Sequence, residues 1–246
     1  MSNIKLYIEN DYESLSRTAA EIFSGAVKAN PTGTFGFATG GTPEGMYAEM
    51  IKMQQAGDAD FSQLTAFNLD EYFPIEPSHP QSYGYYMANK LFDTINLPAE
   101  RRNIPHGDAK DPQAEALAYD QLVLDAKIQL QVLGIGHNGH IGFNEPSDSF
   151  RVQTGHVALA QSTVDANARY FESVTEVPRH AITMGIKTIM MASTIMLLAS
   201  GEEKAPILWD ALKGLITPLV PASVLQLHQN VIVVADIAAA RHLANA

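Results

Sequence analysis

Short apolar runs alternate with longer amphipathic stretches along most of this chain, and this alternation restricts the possible folds more than any other feature. Residues 5–8 form the first apolar run, and residues 12–28 then carry apolar side chains at helical spacing. Strands that alternate with helices favour an α/β fold with a largely parallel sheet and helices on both faces. The pattern predicts strands at 5–8, 34–38, 64–69, 129–133, 181–184, 194–198 and 230–235, and helices at 12–28, 44–55, 82–91, 111–126 and 204–212.

The composition limits the domain count and the classes of partner. The 246 residues contain no internal repeat, low-complexity segment or linker, so we predict a single domain over residues 1–246. The formal net charge is −11, which argues against nucleic acid as a partner. The chain has no cysteine, which excludes thiol catalysis and favours a reducing compartment. Neither a signal segment nor an apolar run of membrane-spanning length is evident. We therefore expect a soluble, cytoplasmic protein that binds no membrane.

The strand at 129–133 leads into a glycine-rich loop that carries several chemically active side chains. Residues 137–145 include two histidines, two asparagines and one glutamate. Glycines let the backbone approach a small ligand closely, and His140 lies five positions before Glu145. An imidazole near a carboxylate is suited to general acid–base chemistry at neutral pH.

Two other interpretations of this loop are weaker. Gly134, Gly136 and Gly139 spell G-x-G-x-x-G, but a dinucleotide site needs a helix after the motif and an acidic residue about 20 positions on. Here glycine and proline follow, and no acid lies near Thr154. A metal site could use His137, His140 and Glu145, but H-x-x-H in a glycine loop is a weak zinc signal, and no cysteine is present to help.

A second loop, T-G-G-T-P at residues 39–43, separates a predicted strand from a predicted helix. Free backbone N–H groups and the positive helix end suit a phosphate. An ordinary tight turn is an equally good interpretation of the motif alone. Lys204 at a predicted helix start and Arg169 are cations that could complete an anion site, although a solvated surface charge is the commoner role for either.

Asp70 and Glu71 follow the predicted strand at 64–69. Adjacent acids at a strand end can form a solvated loop or a helix cap, and they can also supply a base for carbon-acid chemistry. Ligands of open α/β sheets bind beyond the carboxyl ends of the strands. Because three strands end in polar loops of this kind, we expect one shared site.

Taken together, these motifs resemble the glucosamine-6-phosphate deaminase family. The resemblance extends from about residue 6 to residue 235 and rests on residues 39–43 (TGGTP), 67–72 (FNLDEY), 134–146 (GIGHNGHIGFNEP), 168–171 (ARYF), 201–204 (GEEK) and 225–228 (LQLH). It implies a Rossmann-like α/β domain without a dinucleotide, and conversion of glucosamine 6-phosphate and water to fructose 6-phosphate and ammonia. It also implies that no organic cofactor or catalytic metal is needed, and that the protein is a monomer or a homo-oligomer.

The same resemblance implies a role for each motif residue. Asp70 resembles the base that moves a proton between C2 and C1, and His140 the group that opens the sugar ring. Glu145 and Asn138 resemble the partners that orient His140. The residues implied in holding the phosphate are Thr39, Gly40, Gly41, Thr42, Arg169 and Lys204.

Two departures from the longer, allosteric members of the family lead to further expectations. Those members have an aspartate where this chain has Asn138, so we expect Glu145 to supply most of the negative charge near His140. Residues 147–156 lack the basic pair that follows the motif in those members. We therefore expect no activation by N-acetylglucosamine 6-phosphate.

Two rival functions remain open at this point. A 6-phosphogluconolactonase-type enzyme would have the same fold and a similar phosphate pocket, although His140, Glu145 and Asn138 favour the deaminase. A catalytically silent sugar-phosphate sensor would need a DNA-binding appendage, and no segment of the sequence is left over for one.

Overall fold

A computed structural model describes residues 3–243 of the chain. Residues 1–2 and 244–246 of the predicted domain, including the first residues of the segment tested for a signal sequence, lie outside the described residues. The strands are β1 Ile4–Glu9, β2 Thr34–Phe37, β3 Thr65–Asn68, β4 Asp70–Phe73, β5 Arg102–Asn103, β6 Leu130–Gly134, β7 Gly155–Ala158, β8 His180–Thr183, β9 Thr194–Ala199 and β10 Val231–Asp236. The α-helices are α1 Tyr12–Ala29, α2 Gly41–Gln55, α3 Tyr83–Met87, α4 Pro112–Ala126, α5 Gln161–Asn167, α6 Ile186–Met190, α7 Ala205–Lys213 and α8 Ile237–Ala240.

Seven strands form the main sheet in the order β1-β10-β9-β6-β2-β3-β5, and every neighbouring pair is parallel. The predicted α/β class with a largely parallel sheet is therefore confirmed. The central strands are almost wholly apolar and buried, as strands covered on both faces must be. Since β9, β6, β2 and β3 are consecutive in the sheet, the loops that follow them lie side by side at one edge.

Helix boundaries follow local chemistry. Asp11 caps α1, accepting a hydrogen bond of 2.8 Å from the backbone N–H of Ser14, and the Ser14 side chain accepts one in return from the Asp11 N–H. Asp111 caps α4 by accepting hydrogen bonds from the backbone N–H groups of Gln113 and Ala114, with Pro112 at the first helical position. Each helix buries one apolar face, and α1 packs against α2.

A second, smaller sheet contains the two adjacent acids, Asp70 and Glu71. β4 pairs antiparallel with β8, and β8 pairs antiparallel with β7. The prediction that Asp70 and Glu71 lie in a loop after a strand at 64–69 is wrong, because β3 ends at Asn68 and β4 begins at Asp70. The small sheet has its own apolar cluster of Tyr72, Ile75, Phe143, Val157 and Ala181. This packing stabilises β4 as a strand. Because β4 begins with two acids, a search for apolar runs could not detect it as a strand.

No helix among residues 3–243 is long and apolar enough to cross a membrane.

Candidate active site

A cavity of about 250 Å³ opens at the carboxyl ends of β9, β6, β2 and β3. The loops after these strands are the ones expected to carry ligand-binding groups in an open parallel sheet. Eight of the ten predicted site residues line this cavity: Thr39, Gly40, Gly41, Thr42, Asp70, His140, Arg169 and Lys204. The other two, Asn138 and Glu145, lie behind His140 and contact it.

The loop after β6 folds back on itself and is not followed by a helix. The N–H of Gly136 donates to the carbonyl of His140 at 2.9 Å, which closes a tight turn. A side chain at Gly136 would overlap the His140 ring, since a Cβ there would lie 2.2 Å from that ring's Cε1. Glycine at this position therefore lets the imidazole lie flat against the backbone beside the cavity.

The side chains of Asn138, His140 and Glu145 form one connected hydrogen-bond network. The Asn138 Oδ1 lies 2.7 Å from His140 Nδ1, and its Nδ2 donates to Glu145 Oε2 at 2.8 Å. His140 Nδ1 is also 3.4 Å from Glu145 Oε2. Because an amide oxygen can only accept, Nδ1 carries the proton and Nε2 is left free for proton transfer.

Glu145 is ionised in this network. Partial burial by itself raises the pKa of a carboxyl group, but the hydrogen bonds from His140, Thr163 and Asn138 and the charge of His140 outweigh it. Together they lower the pKa of Glu145 to about 2. A negative charge therefore stays beside the imidazole throughout the physiological pH range.

Asp70 lies in the opposite electrostatic environment. Its side chain is 5% exposed at the start of β4. Burial and the neighbouring Glu71 raise the pKa of Asp70 to about 8, against a smaller opposing effect from the Thr183 hydroxyl. A carboxylate with such a pKa is a much stronger proton acceptor than an ordinary aspartate.

Glu71 points away from the cavity and has a structural role. It accepts hydrogen bonds from the backbone N–H groups of Tyr72, Tyr83 and Gly84 at 2.8–2.9 Å. Burial raises the pKa of Glu71 to about 7, although those three donors oppose the shift. The side chain thus joins β4 to the start of α3.

The His140 loop and Asp70 approach each other closely at Gly142. This glycine has φ +56°, in the left-handed region that favours glycine, and a Cβ there would lie 2.9 Å from Thr183 Oγ1 and 3.3 Å from Asp70 Oδ2. The carboxamide of Asn144 holds this part of the loop, donating to the carbonyls of Ile141 at 2.9 Å and Met184 at 2.8 Å. Asp70, at the start of β4, and His140, in the loop after β6, therefore face the same cavity.

The first turn of α2 lines one side of the cavity. Gly40 precedes the helix with φ +107°, and within the described chain α2 has no side-chain cap. Its first N–H groups therefore remain available to a ligand. Tyr12 fixes this turn by donating to the carbonyls of Gly41 and Thr42 at 2.9 and 3.0 Å, and Tyr86 donates to that of Gly40 at 2.7 Å.

Two cations face this helix end. Lys204 Nζ donates to the carbonyl of Ile135 at 3.0 Å, which aims the ammonium across the loop after β6. Burial lowers the pKa of Lys204, and the nearby Arg169 adds to that effect, although Glu203 opposes it. Arg169 lies in a 3₁₀ turn after α5, with its guanidinium over the Tyr170 ring. The repulsion between two like charges that share one cavity is reduced when an anion lies between them.

The cavity also contains side chains that the sequence motifs did not single out. Tyr83 lines it beside Asp70, and Thr163 and Asn167 line it from α5. Asn167 lies two positions before Arg169, and this short distance along the chain is the signal in the sequence that could have identified it. Tyr83 and Thr163 belong to no motif, and only the packing of α3 and α5 brings them to the cavity.

Among residues 3–243, no group of three or more His, Asp or Glu side chains is arranged to hold a metal ion. His137 is an exposed residue at the cavity, with its ring edge-on to that of His140 and the two ring centroids 6.1 Å apart. The glycine fingerprint at 134–139 leads into turns instead of a helix, so it lacks the helix N-terminus on which a dinucleotide pyrophosphate rests.

Comparisons of the sequence with known proteins all indicate the same family. A family model described as glucosamine-6-phosphate isomerases/6-phosphogluconolactonase matches residues 9–234. The chain is 49% identical over 232 residues to a glucosamine-6-phosphate deaminase of Lachnoclostridium phytofermentans, covering 94% of this chain and 98% of that relative. It is 46% identical over 241 residues to a glucosamine-6-phosphate deaminase of Clostridium perfringens, covering 98% and 100%.

Solved structures agree with this at the level of the fold. A structure described as a monomeric glucosamine-6-phosphate deaminase superimposes with a TM-score of 0.94 at 44% identity, covering 97% of this chain and 99% of the other. A 6-phosphogluconolactonase from Trypanosoma brucei superimposes with a TM-score of 0.76 at 17% identity, covering 97% and 98%. The latter likeness concerns the fold alone.

Proposed function

Since this chain belongs to the glucosamine-6-phosphate isomerase/6-phosphogluconolactonase family, we propose that it is a glucosamine-6-phosphate deaminase. It converts glucosamine 6-phosphate and water to fructose 6-phosphate and ammonia by an aldose–ketose isomerisation coupled to loss of the amino group. The observation that carries this proposal is the presence in one cavity of a buried carboxylate with a raised pKa, Asp70, an imidazole beside a carboxylate, His140, and a helix start faced by two cations.

The phosphate of the substrate binds at the start of α2. The backbone N–H groups after Gly40, the Thr39 and Thr42 hydroxyls, and the charges of Lys204 and Arg169 surround it. This group does not react, so its binding energy serves to position the sugar.

His140 opens the pyranose ring. Its free Nε2 takes the proton of the C1 hydroxyl and delivers it to the ring oxygen as the bond between C1 and the ring oxygen breaks, since Nδ1 is occupied by Asn138. The imidazolium that forms during transfer is stabilised by Glu145, whose charge the carboxamide of Asn138 cannot replace. Asn138 sets the tautomer and Glu145 supplies the charge.

Asp70 then acts on the open chain. The C1 aldehyde acidifies the C2 proton, which the Asp70 carboxylate removes and returns to C1, while the aldehyde oxygen gains a proton and the amine nitrogen loses one. The amine-bearing C2 thereby becomes an imine, and addition of water with loss of ammonia gives fructose 6-phosphate. A pKa of about 8 suits this step, since a weakly basic carboxylate would not remove a proton from carbon efficiently.

Product stoichiometry tests the proposal. The purified protein is incubated with glucosamine 6-phosphate and EDTA, and ammonia and fructose 6-phosphate are quantified together. Equal amounts of both products are expected. Hydrolysis of 6-phosphogluconolactone without ammonia release would show that the protein is a lactonase and not a deaminase. Binding of the sugar phosphate without turnover would support a sugar-phosphate sensor. Loss of turnover with EDTA would restore the metal hypothesis.

The wider assignment follows from the same proposal. A monomeric state is supported by the likeness to a structure described as a monomeric glucosamine-6-phosphate deaminase, and light scattering of the purified protein distinguishes a monomer from a homo-oligomer. The partner is a small sugar phosphate, and the net charge of −11 disfavours nucleic acid. A cytoplasmic location accords with the absence of cysteine. Unchanged hyperbolic kinetics with N-acetylglucosamine 6-phosphate would agree with the absence of allosteric activation.

A further inference from the structure

The two carboxylate oxygens of Glu145 are held by different parts of the molecule. Oε2 accepts from Asn138 and faces His140, both in the loop after β6. Oε1 accepts from the hydroxyl of Thr163, which lies on α5, 18 positions further along the chain. The carboxylate is therefore fixed in rotation by a residue from outside its own loop.

Thr163 has no competing role in its own helix. α5 has no side-chain cap among the described residues, and the backbone N–H of Thr163 already bonds to the carbonyl of Ala160 at 3.0 Å. Its side chain is 4% exposed, so the hydroxyl is also removed from bulk water. A buried hydroxyl needs a partner, and Glu145 is the partner it has.

The same helix also carries the anion-binding segment. Thr163 and Asn167 are separated by one helical turn and both line the cavity. The chain continues directly into the 3₁₀ turn that holds Arg169. One short element therefore contacts the proposed phosphate pocket at one end and the proposed catalytic carboxylate at the other.

We infer that Thr163 is a positioning residue, which sets the orientation of Glu145 toward His140 and ties it to the segment that binds the phosphate. This inference rests on the proposed function. Thr163 touches no reacting atom. It acts through Glu145, and its hydroxyl is required while its methyl group is not.

Steady-state kinetics of three variants test the inference with glucosamine 6-phosphate. Thr163→Val keeps the shape and removes the donor, and we expect kcat to fall about tenfold, the cost of a hydrogen bond to a charged group, with KM changed less than about threefold. Thr163→Ser keeps the donor and should restore kcat to within about threefold. Ser162→Ala, at an exposed neighbouring position of α5, is the matched control and should behave as wild type.

A double-mutant cycle separates this role from general packing. In the Glu145→Gln background the same Thr163→Val step should cost less than about twofold, because no carboxylate is left to orient. A full tenfold loss in that background would overturn the inference, as would normal kcat in Thr163→Val alone. Thr163→Ala replaces Thr163→Val if the latter does not fold, as judged by thermal melting. Absence of turnover by the wild-type protein would overturn the proposed function and this inference with it.

Discussion

Asp70 and Glu145 are two carboxylates of one candidate site with opposite environments. Asp70 lies in the small antiparallel sheet beside a second acid, and no cation pairs with it among the residues described. Glu145 lies in the loop of the parallel sheet, between Asn138, His140 and Thr163. Burial raises the pKa of both groups. The Thr183 hydroxyl is too small an opposing effect at Asp70, whose pKa becomes about 8, whereas His140, Thr163 and Asn138 reverse the effect at Glu145, whose pKa becomes about 2.

The comparison indicates how one residue type serves two purposes. A carboxylate surrounded by donors remains charged and is too weak a base to take a proton from carbon. A carboxylate buried beside a like charge becomes a strong base. Two titratable groups whose environments move their pKa values apart are candidates for different acid–base roles, so we propose Asp70 as the proton carrier and Glu145 as the fixed charge.

Removing the base should have the largest effect. We expect Asp70→Asn to lower kcat by about 10³-fold or more, because no other group can carry the proton between C2 and C1. Binding of fructose 6-phosphate, measured by calorimetry, should change little, since the phosphate contacts remain. Turnover within tenfold of wild type would remove the proton-transfer role from Asp70.

Removing the fixed charge should have the second-largest effect. We expect Glu145→Gln to lower kcat about 10²-fold, since the amide keeps a hydrogen-bond acceptor but cannot stabilise an imidazolium. The limb of the pH–rate profile that follows the imidazole should move to lower pH. If rate and profile both stay near wild type, Glu145 does not supply the charge beside His140.

The pH dependence of the wild-type protein gives a third test. Because the pKa of Asp70 is raised to about 8, kcat/KM should rise with pH and level off above about 8. The phosphate and amine ionisations of the free sugar, titrated separately by NMR, must be subtracted. A limb near the ordinary aspartate range of about 4 would contradict the assignment of a raised pKa to the base.

The smallest effect concerns stability. A carboxyl group whose pKa is higher in the folded state stabilises the fold at low pH, and this contribution is lost as pH rises from about 4 to about 8. Asp70→Asn should therefore raise Tm by a few degrees at about pH 9, where the wild-type protein buries a charge, and barely change it at about pH 5. Equal Tm shifts at both values would show that burial of charge is not the cause.

The sequence predicted the β6 loop and the T-G-G-T-P turn well, because both depend on local chemistry. Glycine and proline mark where helices and strands end, and polar side chains after apolar runs mark the ligand edge of a parallel sheet. The sequence-based prediction was wrong for Asp70 and Glu71, which were expected in a loop. Both acids lie in β4, which is a strand because it pairs with β8.

By itself, then, the sequence determined the α/β architecture and the family, and it predicted the ten proposed site residues, since all of these depend on local periodicity or on short motifs. The tertiary structure decided which of two carboxyl groups is basic and which is charged, because burial, Glu71 and three hydrogen-bond donors reach them from separate elements. It also decided that Thr163 holds Glu145. Residues 18 positions apart on unrelated elements meet only when the chain is folded.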